Sequence, residues 1–225
     1  MPSISICHPM TGAVVEVNFT VCGTCAPTKD EKDKMTPKEL AEWYKRATVN
    51  VLVSNGMSMQ PLTCVPDAMG NWTAPTNIGS GNDYTVLAVL NQGTAGEASD
   101  TCDDIDVVMA GMAPVTIGGN PCAMTAGPMP VMTGEVRALG MFLDPPVVEC
   151  HVHKVRSSPK DPKKTQHTHS APGKPVRQQK ADVKGNGKNW TWTAKNLKVD
   201  KKEVCQVVVL VSEEVTAMAT SGVPR

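Results

Sequence analysis

Four groups of residues in this chain have the types and spacing that chemistry needs. Cys22-Gly23-Thr24-Cys25 is a C-x-x-C, the spacing used by zinc ribbons and dithiol redox centres. His151-Val152-His153 and His167-Thr168-His169 are H-x-H pairs. Alternation along a strand puts both imidazoles of such a pair on one face, as a metal site on a β scaffold requires. Asp100, Asp103, Asp104 and Asp106 form an acidic run suited to calcium, which takes several carboxylate and carbonyl oxygens in a flexible array. Lys160, Lys163, Lys164, Lys174 and Arg177 lie in a basic block from His151 to Lys202 whose only acids are Asp161, Asp182 and Asp200. Such a block is the footprint of a polyanion site.

Each group has a plainer reading beside it. The C-x-x-C has no second C-x-x-C at zinc spacing and no βαβ pattern around it, so structural disulfides are expected instead. All eight cysteines are candidates: Cys7, Cys22, Cys25, Cys64, Cys102, Cys122, Cys150 and Cys205. Cys22 and Cys25 would pair elsewhere, for instance with Cys7, Cys64 or Cys102, and Cys150 would bridge to Cys205 on a neighbouring strand. Cys122 would reach Cys102 or another subunit. No carboxylate stands at a helpful spacing to the histidines, and lysines crowd the second pair, so surface histidine is the expectation. The aspartates are the better metal candidate, and calcium between two modules is the one cofactor considered. The basic block coincides with loop-like sequence, which favours a solvated loop. There is no G-x-S-x-G, P-loop, H-E-x-x-H or Rossmann glycine pattern, and the expected protein is not an enzyme.

The elements that must position these groups are mostly strands. With 18 Gly, 18 Pro and 4% aromatic residues in 225, many short strands and turns are favoured over long helices. Val15, Val17, Phe19 and Val21 alternate with smaller or polar residues, at strand period. TVNVLVSNG, GNWTAP and DYTVLAVL follow. VVECHVHKV, NWTWTA and EVCQVVVLV repeat that series later in the chain. Repetition on this scale indicates two modules of about 100 residues, 1–108 and 109–225, joined near Asp106 to Pro114. Thr36-Pro37-Lys38-Glu39 reads as a capping box with Pro at the first helical position, so the first module carries one inserted helix over about 36–47. The second carries a long basic loop over about 156–188. No run approaches the ~18 apolar residues of a membrane span, and the opening MPSISICHPM lacks a secretory pattern.

At GNWTAPTNIGSGNDYTVLAVL the chain resembles the second half of bacterial Ig-like domains, the modules strung along large surface proteins and adhesins. Gly70, Trp72, Thr73, Gly81, Tyr84, Thr85, Val86, Ala88 and the GTAGEAS tail correspond in order. The second copy keeps Trp190, Thr191 and the strand Val207 to Val211 but lacks the Gly and Tyr before it. The resemblance covers about half of each module and implies two Greek-key β-sandwiches, without the Cys…Trp…Cys spacing of antibody domains. It implies a structural or adhesive role in an extracellular surface layer, fibre or adhesin array. Partners would be further copies or neighbouring modules, met through the opening segment Met1 to Val21 and the C-terminal segment. Carbohydrate or polyanion binding by the basic loop is the alternative, and a virion or tail decoration domain is a third. Nucleic acid is not expected as a partner.

Overall fold

A computed structural model describes residues 1–113, 115–117, 132–137, 146–154, 166–168, 177–186, 189–195, 205–211 and 214–221. The chain is mostly β, with several sheets and two short helices among these residues. None of their helices is long and apolar enough to cross a membrane.

The opening segment is three short strands: β1 (Ser3–His8), β2 (Val14–Glu16) and β3 (Thr20–Ala26). Gly12 and Asn18 break the run by sitting at positive φ, where glycine and asparagine turn the chain most cheaply. Two helices follow, α1 (Lys29–Lys32) and α2 (Pro37–Arg46). Each opens on a full capping box, Thr28 with Glu31 and Thr36 with Glu39, which satisfies amides that a helix start leaves bare. Helix α2 is the one expected from sequence; it buries Tyr44 and packs Leu40 and Trp43 on the core. Helix α1 buries nothing, so it has no apolar period to read.

Next come β4 (Val49–Ser54), β5 (Met59–Cys64), β6 (Asn71–Pro75), β7 (Gly81–Leu90) and β8 (Ala98–Val108). They complete two sheets, ordered β1-β3-β6 and β5-β4-β7-β8. Val49, Val51 and Val53 alternate inward from β4, and Tyr84, Val86, Ala88 and Leu90 from β7. They share one core with Ile4, Ile6, Val21 and Trp72 of the other sheet. β2 lies parallel to Asp106–Val108 of β8. Trp72 faces Gly23 across the β3–β6 ladder. A Cβ on Gly23 would collide with the Ser5 carbonyl and the Trp72 ring, so the indole needs glycine there.

The later strands are β9 (Val115–Ile117), β10 (Met132–Arg137), β11 (Val148–Lys154), β12 (Gln166–Thr168), β13 (Arg177–Lys180), β14 (Asp182–Asn186), β15 (Asn189–Ala194), β16 (Cys205–Val211) and β17 (Glu214–Ser221). Their sheets are ordered β14-β15-β10-β9 and β13-β11-β16-β17. β9, β10 and β15 therefore stand as β1, β3 and β6 do, and β13-β11-β16-β17 stand as β5-β4-β7-β8 do, with β14 added. The repeat extends to register. Gly134 faces Trp192 as Gly23 faces Trp72, and both indoles are buried. Trp192 is the counterpart of Trp72, which corrects the sequence pairing of Trp72 with Trp190.

Among its described residues, the expected loop 156–188 contains three strands. β13 and β14 are polar, with no residue fully buried among their described side chains, so no apolar alternation marks them. β12 runs parallel to Ser99–Thr101 of β8, joining the first half's sheet. Beyond β8, the amides of Gly111 and Ala113 both donate to Glu16 Oε1, at 2.9 and 3.3 Å, tying the connection between the halves to β2.

Gly23→Ala should lower the free energy of unfolding by about 1–3 kcal/mol, the range for an overpacked core. A urea titration reads this directly; an unchanged midpoint would mean that Trp72 does not need the missing side chain.

Candidate functional site: the seam between first and last strands

The first sandwich must close where β1, outermost in its sheet, meets β8, the last strand of the other. An outer strand has backbone amides with no ladder partner. Here Asp100 supplies one: its side chain is fully buried, Oδ2 accepts the Ile6 N–H at 2.6 Å and Oδ1 accepts the Thr101 N–H at 3.0 Å. The seam continues as Gly12 N–H donates to the Asp103 carbonyl (3.2 Å), the Thr11 hydroxyl to Asp103 Oδ1 (3.1 Å), and Asp106 N–H to the Ala13 carbonyl (2.9 Å).

A bulge in β8 makes this geometry. Tyr84 pairs with Ile105 but Val86 with Cys102, so β8 holds one residue more than β7 there, and Asp104 takes φ 56°. The extra residue flips the alternation. Ala98, Asp100 and Cys102 are buried before it, and Ile105 and Val107 after it.

The four aspartates are accordingly not gathered into one array. Asp100 is buried against β1, Asp103 is engaged with Thr11, Asp104 is exposed in the bulge, and Asp106 accepts the Asp83 N–H at 3.4 Å. All four belong to β8, and no cluster of three or more potential ligands occurs among the described residues. The opening segment, expected to reach a neighbouring copy, is paired within its own half by β3 and β8.

The cysteines also depart from expectation. Cys22 and Cys25 are three apart on β3, so they point to opposite faces. Cys22 is disulfide-bonded, while Cys7, Cys25, Cys64, Cys102 and Cys150 are thiols. The partner of Cys22 is therefore none of the cysteines proposed for it. Cys150 faces Val209 and Cys205 faces Lys154, four residues along the same ladder. That offset is about 13 Å, beyond the ~7 Å Cα limit of a bridge, so Cys150–Cys205 is excluded. Cys122 lies outside the described residues.

Burial, with the Asp100 charge adding to it, pushes the Cys7 thiol up to about 12. Cys102 is raised for the same two reasons, against the pull of the Thr11 amide. Burial, then Cys64 and Asp67, raise Cys25 to about 12. Burial also raises Cys64, with the Thr73 amide opposing, and lifts Cys150 to about 12.

His151 Nε2 lies 3.1 Å from Glu149 Oε2, so a carboxylate does stand beside that imidazole, two residues earlier in β11. The backbone of His167 is paired with Asp100 in the β12–β8 ladder. The side chain of His153 and all of His169 fall outside what is described. So do Lys160, Lys163, Lys164 and Lys174, while Arg177 is exposed at the start of β13.

An open groove of about 750 Å³, which sequence reading missed, lies between α2 and the turn after β7. Glu39, Glu42, Trp43, Arg46 and Asn91 are among its lining residues. Its polar groups are largely committed within the chain: Glu39 closes the capping box, Glu42 holds Lys45 at 2.7 Å, and Asn91 Oδ1 accepts the Thr48 N–H. The seam is the more unusual arrangement, a fully buried carboxylate beside two buried thiols. No family model matches the chain, and no curated protein matches it in sequence.

Reduced protein should lose stability as pH rises from about 9 towards 12. The sign follows from the raised folded value: between those limits the unfolded Cys7 is deprotonated and the folded one is not, so unfolding releases a proton. Cys7 alone contributes a loss of roughly 1.4 kcal/mol per pH unit across that window. Urea midpoints of the wild type and Cys7→Ser across this range test it, the variant showing the shallower decline.

Proposed function

We propose that this chain is a non-catalytic structural or adhesive protein made of two Ig-like Greek-key sandwiches in tandem, a repeat unit of an extracellular surface layer, fibre or adhesin array. The observation that carries this reading is the strand order, which the two halves share apart from the added β14 and which resembles the two-sheet arrangement of an Ig-like sandwich. Support also comes from Tyr84. It stands near the start of β7 and donates its hydroxyl to the Gly79 carbonyl at 3.1 Å, the arrangement of the tyrosine corner in such sandwiches. The tie from Glu16 to Gly111 and Ala113, and the addition of β12 to β8, both act to hold one half against the other. A stiff tandem suits a load-bearing array better than a hinged binder. Exposed Met59 opens β5, the outer strand on the far side of the sheet from β8, and exposed Met57, Val65 and Met69 lie to either side of it in sequence. Pro61 within β5 removes a backbone donor from that strand, so contact there would use side chains rather than an added strand.

Native mass spectrometry across a concentration series tests this. The expected result is assembly into species of many copies, weakened by Met59→Lys. A monomer at every concentration, retained by heparin in a salt-sensitive way, would replace the reading with polyanion binding by the basic block.

A further inference from the structure

We propose that Cys7 and Cys102 are a disulfide pair that closes while the chain folds, stapling the first strand of the first sandwich to its last. Both side chains are buried, Cys102 completely. The same two segments are joined on either side of them. Ile6, one residue before Cys7, donates to Asp100, and Thr11 and Gly12 bind Asp103, one residue after Cys102. The chain around Cys7 is thus held against the chain around Cys102 by hydrogen bonds at both ends of a short stretch. Both thiols sense Asp100, and Cys102 also senses Cys7.

The step is thiol–disulfide exchange with a small-molecule disulfide of the oxidised-glutathione class. One cysteine thiolate attacks the oxidant, forming a mixed disulfide and releasing one thiol. The second cysteine attacks that mixed disulfide, forming the Cys7–Cys102 bond and releasing the other thiol. The oxidant gains the two electrons and two protons that the cysteines lose. The attacking species is the thiolate. In the folded chain both thiols are buried, out of reach of a dissolved oxidant. The bond therefore forms before the core closes around it, and a protein folded in the reduced state resists later oxidation. This makes the pair a folding staple rather than a switch, and its formation does not depend on any assembly of copies.

The test uses the full wild-type chain. One sample is refolded from denaturant with oxidised and reduced glutathione; a second is refolded reduced and then given the same mixture. Remaining thiols are blocked with N-ethylmaleimide, and the chain is digested without reduction for peptide mass spectrometry. The expected result is a peptide pair linking Cys7 to Cys102, two hydrogens lighter than the separate peptides, in the first sample and nearly absent from the second. The first sample should also melt roughly 10 °C or more above the second, because the bridge closes a loop of nearly a hundred residues. Recovery of Cys7 and Cys102 as blocked thiols from the first sample, or either one linked to a different cysteine, would overturn the proposal.

Discussion

A two-layer sandwich has to satisfy the outer edges of its sheets, and in the first half of this chain a buried carboxylate meets that need. Removing Asp100 from water costs several kcal/mol unless charge-assisted hydrogen bonds offset it. The Ile6 and Thr101 amides provide two such bonds, and the first ties the sheets together. Much else follows from that contact. It sets where β1 lies along β8, and so where β2 joins β8 a few residues later. Glu16 ends β2 and takes up the amides of Gly111 and Ala113. The entry to the second half is thereby fixed by strand register in the first.

The parts of this fold that were legible in sequence are those where local chemistry and packing agree. Helix α2 announces itself by Thr36, Pro37 and Glu39, and its end structure is the one those residues encode. Strands β4 and β7 show plain apolar alternation because one face of each is buried. β8 is hard to read as a strand from sequence for two reasons. Four aspartates suggest solvent, and the bulge at Asp104 shifts the apolar residues from even to odd positions midway, which destroys a period of two. β13 and β14 were hidden because polar strands with little burial look like a loop.

The site was less legible than the fold. The residue types were visible, but their grouping was not, because it depends on contacts between residues about ninety positions apart. Asp100 looked like a calcium ligand among its neighbours; its true partner is a backbone amide in the first strand, and no side-chain pattern reports an amide. The Gly23–Trp72 and Gly134–Trp192 pairs show the same limit. The sequence NWT invites alignment of Trp72 with Trp190, whereas ladder register selects Trp192, the indole opposite a glycine. Asparagine and threonine flanking a strand tryptophan are replaceable. The space that a missing Cβ leaves for an indole is not.

Amide hydrogen exchange at Ile6 tests the seam most directly, in the wild type and in Asp100→Ala and Asp100→Asn. Ile6 in the wild type should be protected like the core amides of β4. In Asp100→Ala its exchange should accelerate at least tenfold relative to those amides, with Asp100→Asn between the two because its carbonyl still accepts. An Ile6 amide that exchanges quickly in the wild type, or whose protection survives Asp100→Ala, would contradict the claim that this carboxylate closes the sandwich.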